Sequence, residues 1–570
     1  MGVGSVLNQL DAALSDLVGQ WNGYSTGIAT LLVLVISYSI MTRVDPDIHP
    51  MLLARQAQGS PVRQEGESPI YRGNAAPHGM PLNSGLNVKA PGASKWSQGR
   101  DGDLRDVWRR VVSGSPSEDG PSAKGRILTV YGREKVTEHK LSDITRAINL
   151  IGQHISQHGG NKVAIYLPNS VEFVATLFAC SFYGLTAVVL PFDESSDIIV
   201  SMLQRSGADT VVTVPGAFPF DGVVKSYPSL KQLVWVVDQG SNHMDWNEVP
   251  EGVGGKVNVS TWQDILHDSP VTAGNELPAE GDTTEAKDVV FFWKSKSGSL
   301  EELVQFTQKN LVSAISAQLT AVPTTHRFSP ADLFLSAAPL SASFPLVLTL
   351  AALYSNASVA FNSVAGTSAD LALATQGIAP TVVVATPQTL QKTHKESSGK
   401  IASLIASTSH WIQTRSLVQN GAMPVASFLA SYNDRVKPSV GTTPGKLRLL
   451  YVADSAGAGT PVLSELALSD LRVFTGARVI YALTAAKVAG SVAQTQFNDY
   501  RVHGDGTGSH FGPPVSSIEV ILKDSGSHKT SDDGQKIEGE ITVRGPAVSG
   551  GVASLGVIGK VREDNVLAYV

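Results

Sequence analysis

Between residues 141 and 214, stretches with apolar residues at helical spacing alternate with short apolar runs typical of buried strands. Helices are expected at Leu141–His154, Glu172–Tyr183 and Ile198–Ser206, and strands at Lys162–Leu167, Thr186–Leu190 and Asp209–Val214. Strands that alternate with helices pair in parallel, because each helix carries the chain back to the same edge of the sheet. The pattern therefore predicts an α/β fold with a doubly wound, mainly parallel sheet.

The N-terminal residues show a different pattern. Residues 1–20 carry leucines at helical spacing, and the run from Trp21 to Met41 contains no charged side chain. About 20 apolar residues are enough to cross a bilayer. We therefore expect a short translocated segment at 1–20 and a transmembrane helix at 21–42. A cleaved signal peptide and a buried core helix are the alternatives for this run.

Basic residues lie on one side of the apolar run only. No Lys or Arg precedes it, whereas Arg43, Arg55 and Arg63 follow it. The positive-inside rule then predicts a single-pass membrane protein with the bulk of the chain in the cytosol. The endoplasmic reticulum is the first expectation for the membrane, with the mitochondrial outer membrane or the peroxisome as alternatives.

Residues 43–122 are rich in Pro, Gly, Ser, Gln and Asn and lack sustained apolar periodicity. Such a composition predicts a flexible linker. The run around Trp108 leaves two interpretations open, a docking helix or a transient helical turn. Residues 123–570 are expected to form the folded domain.

Composition and charge exclude some classes of function for this chain. The chain has 570 residues, of which 42% are hydrophobic, and a formal net charge of −6. This is enough for a large core, and the absence of a basic stripe argues against a nucleic-acid partner. The single cysteine, Cys180, excludes a disulfide framework and any multi-cysteine metal site. Its apolar neighbours predict a buried, inert thiol.

The most informative stretch runs from Val289 to Leu311. It predicts a strand at Val289–Phe292, a Ser-rich loop and a helix that opens at Asn310. A Ser- and Gly-rich loop after a strand can wrap backbone N–H groups around phosphate oxygens. The stretch resembles the phosphate loop of the adenylate-forming superfamily, which includes acyl-CoA synthetases, firefly luciferase and peptide-synthetase adenylation domains.

Further motifs follow in the order and spacing of that superfamily. They are Leu167–Ser170, Asp332–Leu335, Pro339–Leu340, Leu447–Val452, Asp454–Gly457, Val479–Ala485, Gly512–Pro514 and Gly539–Pro546. The resemblance covers about residues 127–570, and the insertion Lys392–Gly421 is similar to the long-chain fatty acyl-CoA synthetase branch. It implies the large N-terminal domain of such enzymes, with doubly wound, mainly parallel sheets and a late β subdomain.

The resemblance also implies a nucleotide-binding site, of which this chain keeps only part. Thr484 matches a residue that touches the α-phosphate in the family. The vestigial nucleotide-binding positions are Ser295, Ser297, Gly298, Ser299, Tyr481 and Thr484.

Several positions depart from what the family's chemistry needs. The loop lysine is replaced by Glu302, the glutamate that holds Mg²⁺ by Ala485, and the aspartate that holds the ribose by Val557. A carboxylate facing a triphosphate is repulsive, and neither Ala nor Val offers an oxygen ligand. The chain ends at Val570, and we expect the small C-terminal domain with the adenylation lysine to be absent. We therefore expect no catalytic residue, no metal ligand and no cofactor, with ATP and Mg²⁺ needed only by an active ligase.

Small apolar residues match the positions that line the acyl pocket in the resembled family. They are Ala342, Ala456, Ala458 and Ala482. Three hypotheses follow from the resemblance. The first is a pseudoenzyme of lipid metabolism that binds an acyl ligand, such as a fatty acid or acyl-CoA, or a protein partner. The second is an active ATP-dependent long-chain fatty acid–CoA ligase, and the third is a pure scaffold whose old pocket is filled.

Overall fold

The computed structural model describes residues 22–41, 45–90, 92–94, 96–115, 122–132, 135–237, 257–279, 285–295, 301–424, 436–503, 508–530 and 537–570, together with residues 15 and 19. The strands in chain order are β1 (Ala57–Gly59), β2 (Tyr71–Gly73), β3 (Ile127–Val130), β4 (Val136–His139), β5 (Lys162–Tyr166), β6 (Thr186–Val189), β7 (Thr210–Thr213), β8 (Gln232–Trp235), β9 (Asn258–Thr261), β10 (Val289–Trp293), β11 (Glu302–Phe306), β12 (Leu333–Ser336), β13 (Ser358–Phe361), β14 (Val382–Val384), β15 (Leu449–Ser455), β16 (Arg478–Thr484), β17 (Ala493–Gln494), β18 (Glu519–Lys523), β19 (Ile537–Arg544), β20 (Val552–Val561) and β21 (Leu567–Tyr569).

The helices in chain order are α1 (Gly23–Met41), α2 (Pro50–Ala54), α3 (Leu104–Ser113), α4 (Leu141–Gln157), α5 (Val171–Phe182), α6 (Ser196–Ser206), α7 (Phe220–Ser226), α8 (Trp262–His267), α9 (Gln308–Ala321), α10 (Ser343–Tyr354), α11 (Leu371–Ala374), α12 (Pro387–Gly399), α13 (Leu404–Asn420) and α14 (Glu465–Thr475). A short 3₁₀ turn covers Thr324–His326.

The described strands form three sheets. An eight-stranded sheet has the order β17-β16-β15-β14-β12-β13-β3-β4, and a seven-stranded sheet has the order β11-β10-β6-β5-β7-β8-β9. Pairing is parallel in both except at β17, β4 and β11, which are antiparallel edge strands. The third sheet, β1-β2-β18-β19-β20-β21, is antiparallel throughout. The predicted α/β architecture with a late β subdomain is confirmed.

The elements predicted between residues 141 and 214 form, with ends shifted by a few residues. Helix α5 is capped by Ser170, whose hydroxyl accepts a hydrogen bond from the Phe173 N–H, and eleven of its twelve residues are buried. In the seven-stranded sheet, β5 pairs in parallel with β6 on one side and with β7 on the other. Cys180 is buried in α5, as predicted, and burial raises the pKa of its thiol.

The segment predicted as a flexible linker, 43–122, is instead packed on the domain over most of its described length. Strands β1 and β2 lie at the edge of the antiparallel sheet, and Val520 of β18 pairs with Tyr71 of β2. Helix α3 has a capping box formed by Asp103 and Asp106, and Arg100 binds the Asp106 carboxylate at 2.6 Å. The linker prediction is therefore wrong here, because these short elements are stabilised by distant strands and by caps.

Helix α3 is a docking helix, the first of the two interpretations left open for the run around Trp108. The Trp108 side chain is fully buried, and its ring lies 5.2 Å from the ring of Phe178 on α5. Its indole N–H donates a hydrogen bond to the Thr145 hydroxyl on α4 at 3.2 Å. Trp108 thus ties the N-terminal segment to two helices of the core.

Helix α1 coincides with the predicted transmembrane segment but does not support it. Its first turn contains Tyr24, Ser25 and Thr26, and its longest uninterrupted aliphatic run is Leu31–Ile36. Over the part of the chain that the structure describes, no helix combines the length and apolar character needed to span a bilayer. Most of the predicted translocated segment, 1–20, lies outside the described residues.

A substitution at Trp108 tests the packing of the N-terminal segment. We expect Trp108→Ala to lower the free energy of unfolding by about 3–5 kcal/mol, because it leaves a large cavity and removes a buried hydrogen bond. Trp96→Ala is the matched control, since the Trp96 side chain is 95% exposed and its loss should cost less than about 0.5 kcal/mol. Chemical denaturation measures both values, and equal midpoints for the two variants would contradict the docked segment.

Candidate functional site

Four neighbouring parallel strands end along one edge of the eight-stranded sheet. Strands β12, β14, β15 and β16 end at Ser336, Val384, Ser455 and Thr484, respectively. Ligands of open α/β sheets bind outside the carboxyl ends of the strands, where the connecting loops leave a crevice. The edge therefore positions the candidate site.

Thr484, the position matched to the α-phosphate contact, has its hydroxyl engaged within the protein. The register of β15 and β16 places Ser455 beside Thr484. The Thr484 hydroxyl donates to the carbonyl oxygen of Asp454 at 2.8 Å and lies 3.3 Å from the Ser455 hydroxyl. Since Thr484 is only 3% exposed, it cannot donate this proton to a ligand unless the bond to Asp454 breaks.

Tyr481 is likewise satisfied internally. Its hydroxyl donates to the Asp454 carboxylate at 3.3 Å and accepts the Leu463 N–H at 3.3 Å. The Thr460 hydroxyl donates to the other carboxylate oxygen at 2.6 Å. Burial raises the pKa of the Tyr481 hydroxyl and the pKa of the Asp454 carboxyl. The arrangement fixes the end of β15 against β16 and presents little to a ligand.

Asp454 was not singled out by the sequence as a site residue. It ends the apolar run of β15 and is buried. The sequence did offer one signal, an acidic residue near the C-terminal end of an apolar strand. An acidic side chain is rarely buried at such a place without a partner. Here its partners are Thr460 and Tyr481.

The predicted phosphate loop lies between two paired strands. The sequence predicted β10 but not β11, which pairs with it in antiparallel register from Val289↔Phe306 to Trp293↔Glu302. Ser295 lies just after β10, whereas Ser297, Gly298 and Ser299 lie outside the described residues. The predicted loop is therefore the connection of a β-hairpin.

Ion pairs hold both ends of this connection. On the β10 side, the Lys294 ammonium lies 3.2 Å from the Glu194 carboxylate. On the β11 side, the Arg205 guanidinium donates to the carbonyl oxygen of Glu301 and lies 4.0 Å from its carboxylate. Lys294 and Arg205 therefore both have acidic partners within the protein.

Glu302, at the position of the family's loop lysine, faces a lysine. The Lys487 ammonium lies 3.4 Å from the Glu302 carboxylate, and both side chains are about half exposed. Lys487 is two residues beyond Ala485 in the segment that follows β16. A pair with this exposure is worth about 0–1 kcal/mol. It nevertheless joins the base of the hairpin to the end of the candidate site.

Hydrogen bonds from Ser549 reinforce that connection. Its hydroxyl donates to the carbonyl oxygen of Gln305 on β11 at 2.7 Å. Its backbone N–H donates to the carbonyl oxygen of Lys487 at 2.8 Å. The hairpin is thus fixed to the segment after β16 by backbone as well as side-chain contacts.

The residues at the implied ion and ribose positions do not fit Mg²⁺ or a ribose. Ala485 is buried and Val557, on β20, is partly buried against the core. Neither side chain has an oxygen or nitrogen atom, so neither can ligate an ion or accept a hydroxyl hydrogen bond. Within the described ranges, no group of three His, Cys, Asp or Glu residues is arranged to hold a metal ion.

The four candidate acyl-pocket residues are only partly brought together. Ala482 is fully buried on β16, and Ala456 is 6% exposed, with its N–H donating to the Thr484 carbonyl oxygen at 2.8 Å. Ala458 is half-buried in the turn after β15. Ala342 is exposed at the N-terminal cap of α10, beyond β12, which is two strands away from β15. Ala456 thus contacts Thr484, Ala482 lies two residues before it on β16, Ala458 lies in the same turn as Ala456, and Ala342 lies apart.

Two clefts are found away from this edge. One, of about 380 Å³, lies between α4 and α8 and is lined by His154 and Ser260. The other, of about 520 Å³, lies beside α9 and is lined by Asn83, Trp96 and Thr320. Neither is lined by any residue of the predicted nucleotide or acyl sites.

Comparisons with known proteins show which family this chain resembles. The profile of the family described as "AMP-binding enzyme" matches residues 142–552. A peroxisomal long chain acyl-CoA synthetase 7 from Arabidopsis thaliana is 23% identical over 416 residues, which cover 70% of this chain and 54% of the synthetase. The chain thus spans only about half the length of this relative.

Two solved structures share the fold at low identity. A crystal structure of an anthranilate CoA ligase in complex with anthranoyl-AMP superposes with a TM-score of 0.56 at 13% identity, covering 85% of this chain and 79% of the ligase. A long-chain-fatty-acid-CoA ligase from Archaeoglobus fulgidus gives a TM-score of 0.55 at 14% identity and covers 86% of both chains. The family match over most of the folded domain, together with this shared fold, identifies the chain as a member of the AMP-binding enzyme family, in the adenylate-forming superfamily and close to the acyl-CoA synthetases.

Proposed function

We propose that this chain is a catalytically degenerate member of its family that binds a fatty acyl ligand without forming an acyl adenylate. The observation that carries the proposal is the Glu302–Lys487 ion pair at the base of the loop hairpin. In an adenylating relative, a lysine at the position of Glu302 would meet the triphosphate. Here a carboxylate stands at that position, and the nearby ammonium is already paired.

The electrostatics of the loop base oppose a triphosphate. Two like charges about 4 Å apart repel by about 1 kcal/mol in water and by about 4 kcal/mol near a protein surface. A triphosphate beside Glu302 would meet this repulsion and would have to draw Lys487 away from its partner. The Ala485 and Val557 positions supply neither a metal ion nor a ribose contact to compensate.

The small residues near Thr484 support an acyl ligand. Ala458 is half-buried in the turn after β15, and the buried Ala456 and Ala482 keep the neighbouring positions small and apolar. Burial of an acyl chain contributes about 0.8 kcal/mol per CH₂. The relatives with this fold are named as acyl-CoA synthetases and ligases. A role in lipid metabolism, through the acyl ligand or a protein partner, follows from this proposal.

Two other functions are set against this one. The similarity to long-chain acyl-CoA synthetases favours an active ligase, which would need ATP and Mg²⁺. The complete burial of Ala482 favours a pure scaffold, as do the hydroxyls of Tyr481 and Thr484, which already form hydrogen bonds to Asp454. Adenylation activity separates the ligase from the other two, and saturable acyl binding separates the acyl binder from the scaffold.

For localisation, we propose association with an intracellular membrane through helix α1, with the endoplasmic reticulum as the first choice. Leu31, Leu32, Val33, Leu34 and Val35 of α1 are each more than half exposed. Apolar side chains in such a cluster gain free energy when they leave water for the interfacial region of a bilayer. The association proposed here is with the membrane surface.

The first prediction concerns adenylation. We expect no fatty-acid-dependent ATP–pyrophosphate exchange above background in the presence of Mg²⁺, because the loop, metal and ribose contacts are replaced. An active long-chain acyl-CoA synthetase serves as the positive control. The decisive comparison is with Thr484→Val: exchange by the wild type that disappears in this variant would establish the ligase and refute the proposal.

A second prediction concerns the acyl ligand. We expect a fluorescent fatty acid to bind saturably at micromolar protein, and Ala458→Trp to weaken binding at least about tenfold by filling half-buried space in the turn after β15. Val271→Trp is the control, at a side chain 86% exposed. If circular dichroism shows that the wild type is folded but no saturable binding is found, the acyl-binding proposal is refuted and the scaffold function remains.

A third prediction concerns the membrane. We expect the full chain to pellet with membranes, and Leu32→Lys with Val35→Lys to move most of it to the soluble fraction, because each charge opposes transfer out of water. Val62→Lys is the control, at a side chain 77% exposed in the N-terminal segment. Wild-type protein found entirely in the soluble fraction would refute the association.

A further inference from the structure

Helix α13 carries an exposed apolar stripe. Leu404 is 86% exposed, Ile405 55%, Trp411 57% and Ile412 40%. Their spacing of one, seven and eight residues places all four on one face of the helix. The buried positions of α13, including Ala406 and Leu417, lie on its other side. An exposed cluster of this kind marks an interaction surface.

The stripe belongs to a helical hairpin that is fixed to the body of the protein. The Asp470 carboxylate of α14 receives a hydrogen bond from His394 of α12 at 2.9 Å and another from His410 of α13 at 2.9 Å. The His410 ring also stacks on Phe474 of α14 at 5.1 Å. One carboxylate thus holds both helices, and the apolar stripe faces outward from a supported surface.

The same hairpin is basic in a chain that is acidic as a whole. From Pro387 to Asn420 it contains one acidic side chain, Glu396, and four basic ones, Lys392, Lys395, Lys400 and Arg415, whereas the formal net charge of the chain is −6. Lys392 pairs with Asp370 at 3.3 Å, and the Arg415 guanidinium lies over the Trp411 ring at 5.3 Å. Lys395 and Lys400 are exposed. Positive charge on the same hairpin as an apolar stripe is complementary to an anionic lipid surface.

The segment that follows α1 reaches the body at the end of α13. The Asp47 N–H donates to the carbonyl oxygen of Gly421, the C-terminal cap of α13, at 2.9 Å. The Asp47 carboxylate is held by Arg478 at 3.0 Å and by the Tyr500 hydroxyl at 2.8 Å. The attachment point of the exposed apolar helix α1 therefore adjoins the hairpin that bears the stripe.

We propose that the α12–α13 hairpin, residues 387–420, docks on the surface of an anionic phospholipid bilayer. Leu404, Ile405, Trp411 and Ile412 enter the interfacial region, and Lys395, Lys400 and Arg415 meet the headgroup phosphates. Tryptophan suits this depth because its ring is apolar and its N–H stays hydrated. The proposal deepens the membrane association proposed above, with a second contact besides α1, and is independent of whether an acyl ligand binds.

The single cysteine of the chain allows a site-specific test. Cys180 is fully buried, so an environment-sensitive thiol fluorophore will label Ile405→Cys selectively in the full chain. Val271→Cys, on a loop after α8, is the matched exposed control. Each labelled protein is mixed with vesicles of phosphatidylcholine, with or without phosphatidylserine, while vesicle binding is measured by co-sedimentation.

With phosphatidylserine vesicles, we expect the probe at residue 405 to shift to the blue and to be quenched by lipids brominated on the acyl chains. The probe at residue 271 should do neither. High salt or omission of phosphatidylserine should weaken the response, because the charged contacts are screened or removed. Leu404→Ser with Trp411→Ser should lower vesicle partitioning at least about tenfold.

The remaining outcomes refute the proposal in distinguishable ways. Vesicle binding with the residue 405 probe still in water would leave α1 as the contact and eliminate the hairpin. No vesicle binding at all would eliminate both membrane contacts. A blue shift without vesicles that grows with protein concentration would identify the stripe as an interface between copies of this chain.

Discussion

The parallel pairing of β15 with β16 is the constraint on which the candidate site depends. Seven residue pairs, from Leu449↔Arg478 to Ser455↔Thr484, fix the ends of the two strands at the same level. Because of this register, the Asp454 carbonyl and the Ser455 hydroxyl meet the Thr484 hydroxyl, and the Asp454 carboxylate meets Tyr481. A slip of the register would separate these groups and move every side chain to the other face.

The same pairing explains how the fold can be retained when contacts to a charged ligand are replaced. Backbone hydrogen bonds and apolar burial hold β15 and β16 together, and neither depends on a charged ligand. Thr484 and Tyr481 remain because they have structural partners in Asp454, whereas an isolated Mg²⁺-holding carboxylate at position 485 would have none in the absence of the ion. Replacement by a buried alanine removes the cost of an unpaired charge.

Much of the fold could be predicted from the sequence, and the exceptions have a common cause. The elements between residues 141 and 214 were predictable because helical and strand periodicity are local properties of long amphipathic or apolar segments. Strands β1 and β2 have three residues each, too few to show a period, and β2 is held by a partner more than 400 residues away, Val520. For α3 the run around Trp108 was a local signal, but it left two interpretations open in a segment whose composition favoured disorder.

The sequence named candidate site residues but could not supply their contacts. Tyr481 and Thr484 were named because they match a family motif. Asp454 also lies in a matched segment, but its contacts with these two residues could not be predicted, since pairing across strands depends on register. Lys487 was missed for the same reason. Its ammonium reaches Glu302 only because β11 turns the loop into a hairpin and Ser549 ties that hairpin to the segment after β16. The ion pair gives the replacement at residue 302 a structural role, since a lysine there would leave two ammonium groups side by side. The two residues are therefore coupled, although only weakly, because both side chains are about half exposed.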